Sequence, residues 1–405
     1  METSKAGAPG AAIVALSAAA FGSGLSLRVT DPLLPRLAAQ FDVTLGRSAD
    51  VVTFFAVAYG LSQLFFGPLG DRFGKVRVIA FACVASAVTA LLCAFAPTFP
   101  MLLAARLAAG ITCAAVIPLA MAWIGDVVPY EQRQPVIARF LIGQILGVAM
   151  GQLFGGLAAD HADWRTPFYA LAGFFALVAA ALFGVFARLP AFARTTIAVP
   201  GNAIAHVFRE FHSVVSRGWA RQVLATVFLE GFFVYGAFVF LASHLHRTYG
   251  ISLSAAGAVV MLFGAGGIGF AAFTARFVAR YGERGMIDRG GLLAAASLLA
   301  IAAGGGWGWA VPTSLVLGFG FYMLHNTLQT NATQMAPERR GAAVSSFASF
   351  FFLGQAAGAF AAGLAVERFG TSATIAVGGA GVLVVALAFG QARTRHEYHS
   401  QNIKP

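Results

Sequence analysis

The sequence is poor in charge. Asp, Glu, Lys and Arg make up 11% of its 405 residues, and 16 positions are acidic. Soluble domains carry charge on about a quarter of their positions, so a water-covered surface of ordinary composition is excluded. Cysteine is scarce too: Cys83, Cys93 and Cys113 are the three in the chain. All lie in apolar runs, with neither metal-ligand spacing nor an extracellular pairing pattern, and read as buried packing residues. No phosphate-binding loop is found, so ATP hydrolysis by this chain is not expected, nor is any cofactor or bound metal. Residues 1–10 lack a basic cluster ahead of the first apolar run, and no convincing cleavage site follows, so the first helix is expected to be retained.

What fills the chain instead is apolar. Hydrophobic residues make up 59% of it, and the mean hydropathy is +0.77. Apolar runs of about 20 residues recur along the whole length, each long enough to cross a hydrocarbon core of roughly 30 Å as a helix. Twelve such helices are expected, at 11–38, 50–69, 77–96, 98–124, 136–158, 165–187, 221–243, 255–277, 286–306, 311–333, 342–366 and 371–391. The fold class is therefore all-α and integral to a lipid bilayer.

In such a chain the net charge of +11 matters less than its distribution. With the N-terminus placed inside, Arg36, Arg47, Arg165, Arg247 and Arg368 fall outside, and Arg28 and Arg106 fall within the membrane. Every other Lys and Arg, from Lys5 to Lys404, falls inside. The positive-inside rule then puts both termini in the cytoplasm. Basic residues scattered over short loops do not make a nucleic-acid face.

The chain also repeats itself. LGDRFGKVR (69–77) aligns with VARYGERG (278–285), matching Arg72 to Arg280, Phe73 to Tyr281 and Gly74 to Gly282, with Ala279 opposite Asp71. At a similar spacing FLIGQILG (140–147) answers FFLGQAAG (351–358), and the turn with Pro129 and Arg133 answers Pro337 and Arg340. Two halves follow: an N-terminal six-helix bundle (1–187), a cytoplasmic linker (188–220) with Pro190, Pro200 and Gly201, and a C-terminal six-helix bundle with a short tail (221–405). Repeated halves with a site between them are a transporter architecture.

The stretch GPLGDRFGKVR (67–77) resembles the helix 2–3 signature of the major facilitator superfamily, and the resemblance covers essentially the whole chain. RLAAG (106–110) resembles the helix 4 motif of that family. GVAMGQLFGG (147–156), with Gly147, Gly151, Gly155 and Gly156, resembles its glycine-rich helix 5 motif of antiporters, except that Gln152 stands where Pro is usual. The family implies that Gly67, Gly70, Asp71, Arg72, Gly74, Lys75 and Arg77 form a latch between the halves. A plain positive-inside hairpin with a capping Asp is the alternative. For Gly143, Gly147, Gly151 and Gly155 the alternatives are close helix packing and a flexible antiporter element.

Ionisable groups at membrane depth cost at least a few kcal/mol and mark sites. Five are expected there: Arg28 and Asp31 on helix 1, Arg106 on helix 4, Glu230 on helix 7 and His325 on helix 10. In the family these four helices line the central cavity. Arg28 and Asp31 share a helical face, and Pro32 and Pro35 remove two backbone donors, so helix 1 should kink. Substrate or gate contacts and a self-satisfied structural pair both fit them. Glu230, about nine residues inside its helix and so roughly 13 Å deep, is a candidate for proton coupling, as are Asp31 and His325; a buried structural Glu is the alternative. His325 sits at comparable depth, so the two could meet across the cavity. Tyr322, Asn326, Gln329 and Thr333 form a polar stripe beside it, for substrate contact or interhelical bonding. Arg106 could organise Asp31 or an anionic substrate, or tune a nearby carboxylate. His161, His206, His212, His244, His246, His396 and His399 fall in loops or tails and are expected to be solvated.

The expected activity is transport of a small organic compound by alternating access in a bacterial inner membrane, by a monomer, as proton-coupled export. Proton-coupled uptake of an anionic metabolite is the alternative, and an integral-membrane enzyme a remote one.

Overall fold

The computed structural model describes residues 10–190, 193 and 203–402. No strand occurs among them. Part of the expected linker, including Pro200 and Gly201, lies outside the described residues, as do Lys5 and Lys404.

The N-terminal half holds α1 (Gly10–Arg28), α2 (Leu34–Phe41), α3 (Leu45–Ser48), α4 (Asp50–Phe73), α5 (Lys75–Ala94), α6 (Phe99–Cys113), α7 (Val116–Val127), α8 (Tyr130–His161) and α9 (Thr166–Arg188). After α10 (Ala203–Val215) in the connecting segment, the second half holds α11 (Gly218–Glu230), a π-helical turn (Gly231–Tyr235), α12 (Gly236–Phe238), α13 (Leu241–Tyr249), α14 (Leu253–Ala303), α15 (Trp307–Gln334) and α16 (Arg340–Asn402).

Ten stretches among the described residues are long and apolar enough to cross a membrane. Two of them run to 51 and 60 residues, about 76 and 90 Å at 1.5 Å per residue, more than twice a hydrocarbon core. Each is two crossings joined at a glycine with left-handed backbone, Gly282 (φ 62°) in α14 and Gly370 (φ 79°) in α16. The twelve expected crossings are therefore present. Gly74, φ 90°, makes the same turn between α4 and α5. A Cβ at such an angle is strained, which is why glycine stands at all three. Each follows an Arg and an aromatic residue: Arg72-Phe73, Arg280-Tyr281 and Arg368-Phe369. The third copy escaped the sequence comparison.

Three expected helices are interrupted. The first was placed at 11–38, but α1 stops at Arg28 and the chain turns before α2. Pro32 and Pro35 offer no N–H to the carbonyls of Arg28 and Asp31, and tighter bonds replace them: Asp31 N donates to Arg28 O (3.2 Å) and Leu34 N to Asp31 O (3.4 Å). The expected kink is thus a full break. The fourth crossing divides into α6 and α7 because Pro118 has no N–H for the carbonyl of Ala114. The seventh changes to a π-turn directly after Glu230 and runs on to Tyr249, beyond the expected end at 243.

Glycines set the packing of α8. An added Cβ at Gly143 would lie 2.5 Å from the Ser17 carbonyl oxygen and one at Gly151 3.0 Å from that of Leu25, while Gly147 and Gly155 sit on the carbonyls of Phe21 and Val29. One ridge of α8 thus lies against successive turns of α1, backbone to backbone. The second half repeats the device, with Gly354 and Gly358 of α16 on the carbonyls of Phe228 and Phe232. The halves meet chiefly where α8 packs on α14 and α4 on α16. Twelve crossings bring the chain back to the side where α1 begins, here called the terminal end; the opposite side is the distal end.

Candidate functional site

Glu230 ends α11 at mid-depth and is fully buried. The helix then widens into the π-turn, a distortion found often at functional sites. Gly231 and Gly236 at its two ends rest on the backbone of α16, so the turn is held tightly against that helix. From α15, His325 Nδ1 and Glu230 Oε2 are hydrogen-bonded across 2.9 Å. The imidazole is packed by aromatic rings, with centroids at 4.4 Å for Phe351, 5.1 Å for Phe321 and 5.5 Å for Phe347. Glu230 Oε1 has no hydrogen-bond partner. The site therefore holds one carboxylate and one imidazole as a bonded pair in an apolar box, with one carboxylate oxygen left over for a proton or a ligand donor.

On its terminal side the box opens. His325 is partly exposed, Asn326 and Thr330 are exposed, and Gln329 and Thr333 are half-buried on the same side of α15. Polar side chains exposed at this depth line water rather than lipid. Tyr322, at the head of the stripe, instead turns toward α14, where its ring covers Gly267.

A second cluster closes the box on the distal side. Arg28, at the last turn of α1, lies 3.7 Å from Asp31 Oδ2 through Nη1, and Gln152 Nε2 of α8 donates to the same oxygen at 2.8 Å. Arg28 Nη2 crosses to the second half and donates to Gln355 Oε1 of α16. Its guanidinium also lies 4.1 Å from the centre of the Tyr235 ring. Arg28, Asp31, Gln152 and Gln355 are all buried. A cation–π contact and a charge-assisted hydrogen bond thus join the halves over the cavity.

Sequence reading named Arg28 and Asp31 but missed Gln355 and Tyr235 as their partners. The one available signal was the repeated GQ of FLIGQILG and FFLGQAAG.

These positions bear on three expectations, and the solvated His244 is the one they overturn. Arg106 does not reach Asp31 or the cavity: Nε donates to Val51 O (3.1 Å), Nη1 to Ser26 O (3.0 Å), and the group lies over Phe55, 4.2 Å from the ring centre. It braces α6 against α1 and α4, and Gly110 makes room for the α4 backbone at Phe55. Second, the helix 2–3 signature makes its ion pairs within one half. Lys75 Nζ bonds Asp71 Oδ1 and Asp126 Oδ2, each at 2.8 Å, tying α4, α5 and α7 together. Gly70 packs on Leu119 while Gly67 is open, and Arg72 and Arg77 lie over Phe73 and Phe186. Third, His244 is buried. It belongs to α13, where Nδ1 lies 2.9 Å from Thr371 Oγ1 and Nε2 3.3 Å from Ile301 O.

Glu283 stands in the second half where Lys75 stands in the first. It accepts from Arg393 Nε (3.0 Å) and Asn331 Nδ2 (3.2 Å), so the charge is reversed while the brace between neighbouring helices is kept.

The chain matches the Major Facilitator Superfamily over residues 16–359. An uncharacterized MFS-type transporter of Bacillus subtilis (strain 168), YceJ, is 28% identical over 250 residues, 61% of each protein. The multidrug export protein EmrB of Escherichia coli (strain K12) is 26% identical over 156 residues, 38% of this chain and 30% of that protein. The chain spans about three fifths or less of the length of these curated relatives. A bacterial homolog of the human lysosomal transporter Spinster, solved inward-facing and unoccupied, superposes with a TM-score of 0.73 at 19% identity, covering 96% of this chain and 97% of that one. The transporter names of the relatives point away from the membrane-enzyme alternative. With twelve crossings in two repeated halves around a buried polar centre, and a match across most of its length, the chain belongs to the Major Facilitator Superfamily.

Proposed function

We propose that the protein is a secondary transporter that moves a small organic compound by alternating access, coupled to protons, and that it works in export. Glu230 and His325 are the proton-binding pair. The observation that carries this reading is their placement: a fully buried carboxylate bonded to an imidazole, beside a stripe of polar side chains on α15 that is exposed toward the terminal end. A proton arriving from the open side meets His325 first, and Glu230 Oε1 is free to take it. The multidrug export protein among the relatives favours export. Arg28 and Arg106, which suggested an anionic cargo, are buried and bonded to Gln355 and to backbone carbonyls, with Asp31 3.7 Å from Arg28, which favours a bracing role for both in this state. Bacterial relatives fit a multi-pass inner-membrane protein. We read both termini as cytoplasmic and the acting unit as a monomer.

The test is reconstitution in vesicles with a trapped pH dye under an imposed proton gradient. A mixed library of amphipathic cations, sugars and organic acids is screened against the wild type and Glu230→Gln. Solute-evoked proton flux that disappears in Glu230→Gln supports the reading. Equal flux in both proteins moves the coupling role to Asp31 or His325, and solute movement without proton flux makes the protein a uniporter.

A further inference from the structure

The distal end is closed by two contacts that are copies of each other. GLAAD (156–160) ends the fifth crossing of the first half, and GLAVE (363–367) ends the fifth crossing of the second. The second crossing of each half begins with matching residues as well, Val43-Thr44-Leu45 and Ile251-Ser252-Leu253. The spacing from Thr44 to Ser252 equals that from Arg72 to Arg280 in the turn repeat.

Thr44 and Ser252 are both N-caps in extended conformation. Thr44 accepts from Arg47 N (3.2 Å) and Ser252 from Ala255 N (3.1 Å). Onto each cap comes a carboxylate from the opposite half. Asp160 Oδ2 accepts from Ser254 N (2.6 Å) and Ser254 Oγ (2.7 Å), and Glu367 Oε1 accepts from Thr44 Oγ1. Four residues before each acid stands a glycine that brings the two backbones into contact. A Cβ added at Gly363 would lie 2.7 Å from the Gly46 carbonyl oxygen, and one at Gly156 would strike the Leu253 carbonyl.

The copies differ in a way chemistry explains. Position 254 is serine, with a hydroxyl and an amide close at hand, and the short Asp160 reaches both. The equivalent position 46 is glycine and offers no side chain; the longer Glu367 instead reaches the cap hydroxyl itself.

We infer that Asp160 and Glu367 are a reciprocal pair of gate residues, each capping the start of a helix in the opposite half, and that together they hold the distal end shut. Asp160 gains from an orphan amide and from the helix dipole, and Glu367 from a charge-assisted bond with the cap hydroxyl. The gain is lost when the halves part, because each acid and its cap sit on different halves. Opening the distal end therefore requires both caps to be released. Within each half no hydrogen bond of this kind needs to break, so removal of the acids acts on the equilibrium between states.

The inference rests on the alternating-access reading, but its test does not need a cargo or a proton. Spin labels are placed at exposed Gln40 and Arg247, on opposite halves of the distal end, with the three buried cysteines replaced by alanine. Pulsed distance measurements are made on the wild type and on Asp160→Ala, Glu367→Ala and the double variant. A charge-assisted cap is worth about tenfold in an equilibrium. The distal-open fraction should rise about tenfold in Asp160→Ala, less in Glu367→Ala, whose exposed carboxylate takes a single hydroxyl bond, and furthest in the double. Asp160→Asn with Glu367→Gln preserves size and keeps the fold testable if the alanine variants do not assemble; it should show a smaller shift in the same direction. Distal distances unchanged in a folded double variant, or in the Asn/Gln pair, overturn the inference. Lengthened distances in a protein that moves no solute would uphold the gate while sinking the transporter reading.

Discussion

Gln152 Nε2 donates to Asp31 Oδ2 across 2.8 Å, so the residue that replaces the usual proline of the glycine-rich motif is the partner of a buried carboxylate. Asp31 takes no other hydrogen bond from an amide, and Arg28 stands farther off at 3.7 Å. Replacing Gln152 with leucine, of similar volume, leaves a buried carboxylate oxygen without its donor. A loss of this kind costs about 1–3 kcal/mol. Gln152→Leu should lower the midpoint of thermal unfolding in detergent, and Gln152→Glu should lower it further by setting two carboxylates face to face. An unchanged midpoint in Gln152→Leu would show that Asp31 is held by Arg28 alone.

Much of this architecture is legible in the sequence, for a definite reason. Membrane crossings require long apolar runs, and a buried charge is costly enough to be rare, so Glu230 and His325 stand out on sight. Amides do not. Gln152 and Gln355 carry no charge, and only the docking of two halves shows what they bond. His244 was misplaced because SHLHRTY ends the apolar run while the helix continues through it, its polar side chains buried by neighbouring helices. Arg106 was recognised as buried, but nothing in its helix could reveal that backbone carbonyls from α1 and α4 would take up its Nε and Nη1 donors. The GLAAD and GLAVE repeat is too short to notice before the two segments are seen doing the same work.

His325→Phe separates packing from proton chemistry. A phenyl ring preserves the stack with Phe321 and Phe351 and removes the nitrogen that bonds Glu230. Solute-driven proton flux in vesicles should fall about tenfold or more, while downhill exchange of the same solute continues. Flux at the wild-type level would leave His325 as an aromatic wall only.

The α1–α8 contact can be probed by one methyl group. At Gly147 a Cβ meets the Phe21 carbonyl, whereas at Gly184 nothing lies within 4 Å. Overpacking of a tight backbone contact costs about 1–3 kcal/mol. Gly184→Ala in an open helical position gains up to about 1 kcal/mol in helix propensity. Gly147→Ala should therefore unfold at lower temperature than wild type and Gly184→Ala at the same or a higher one. Equal midpoints for the two variants would mean that α8 can move away from α1 at no cost.

Asp71 tests the latch from the opposite direction to the distal caps. In this distal-closed state its partner is Lys75 in its own half, with side-chain exposures of 37% for Asp71 and 11% for Lys75. An ion pair this open to solvent is worth less than about 1 kcal/mol, so Asp71→Asn should leave the unfolding midpoint nearly unchanged. If Asp71 bridges the halves at all, it does so when the terminal end closes. Losing it then disfavours that state alone and raises the population with the distal end shut. The expected signature is longer distances between labels at exposed Gln132 and Gln334 on the terminal end, opposite in sense to the Asp160 and Glu367 variants. Distances identical to wild type would assign Asp71 to the α4–α5 turn and remove it from the gate.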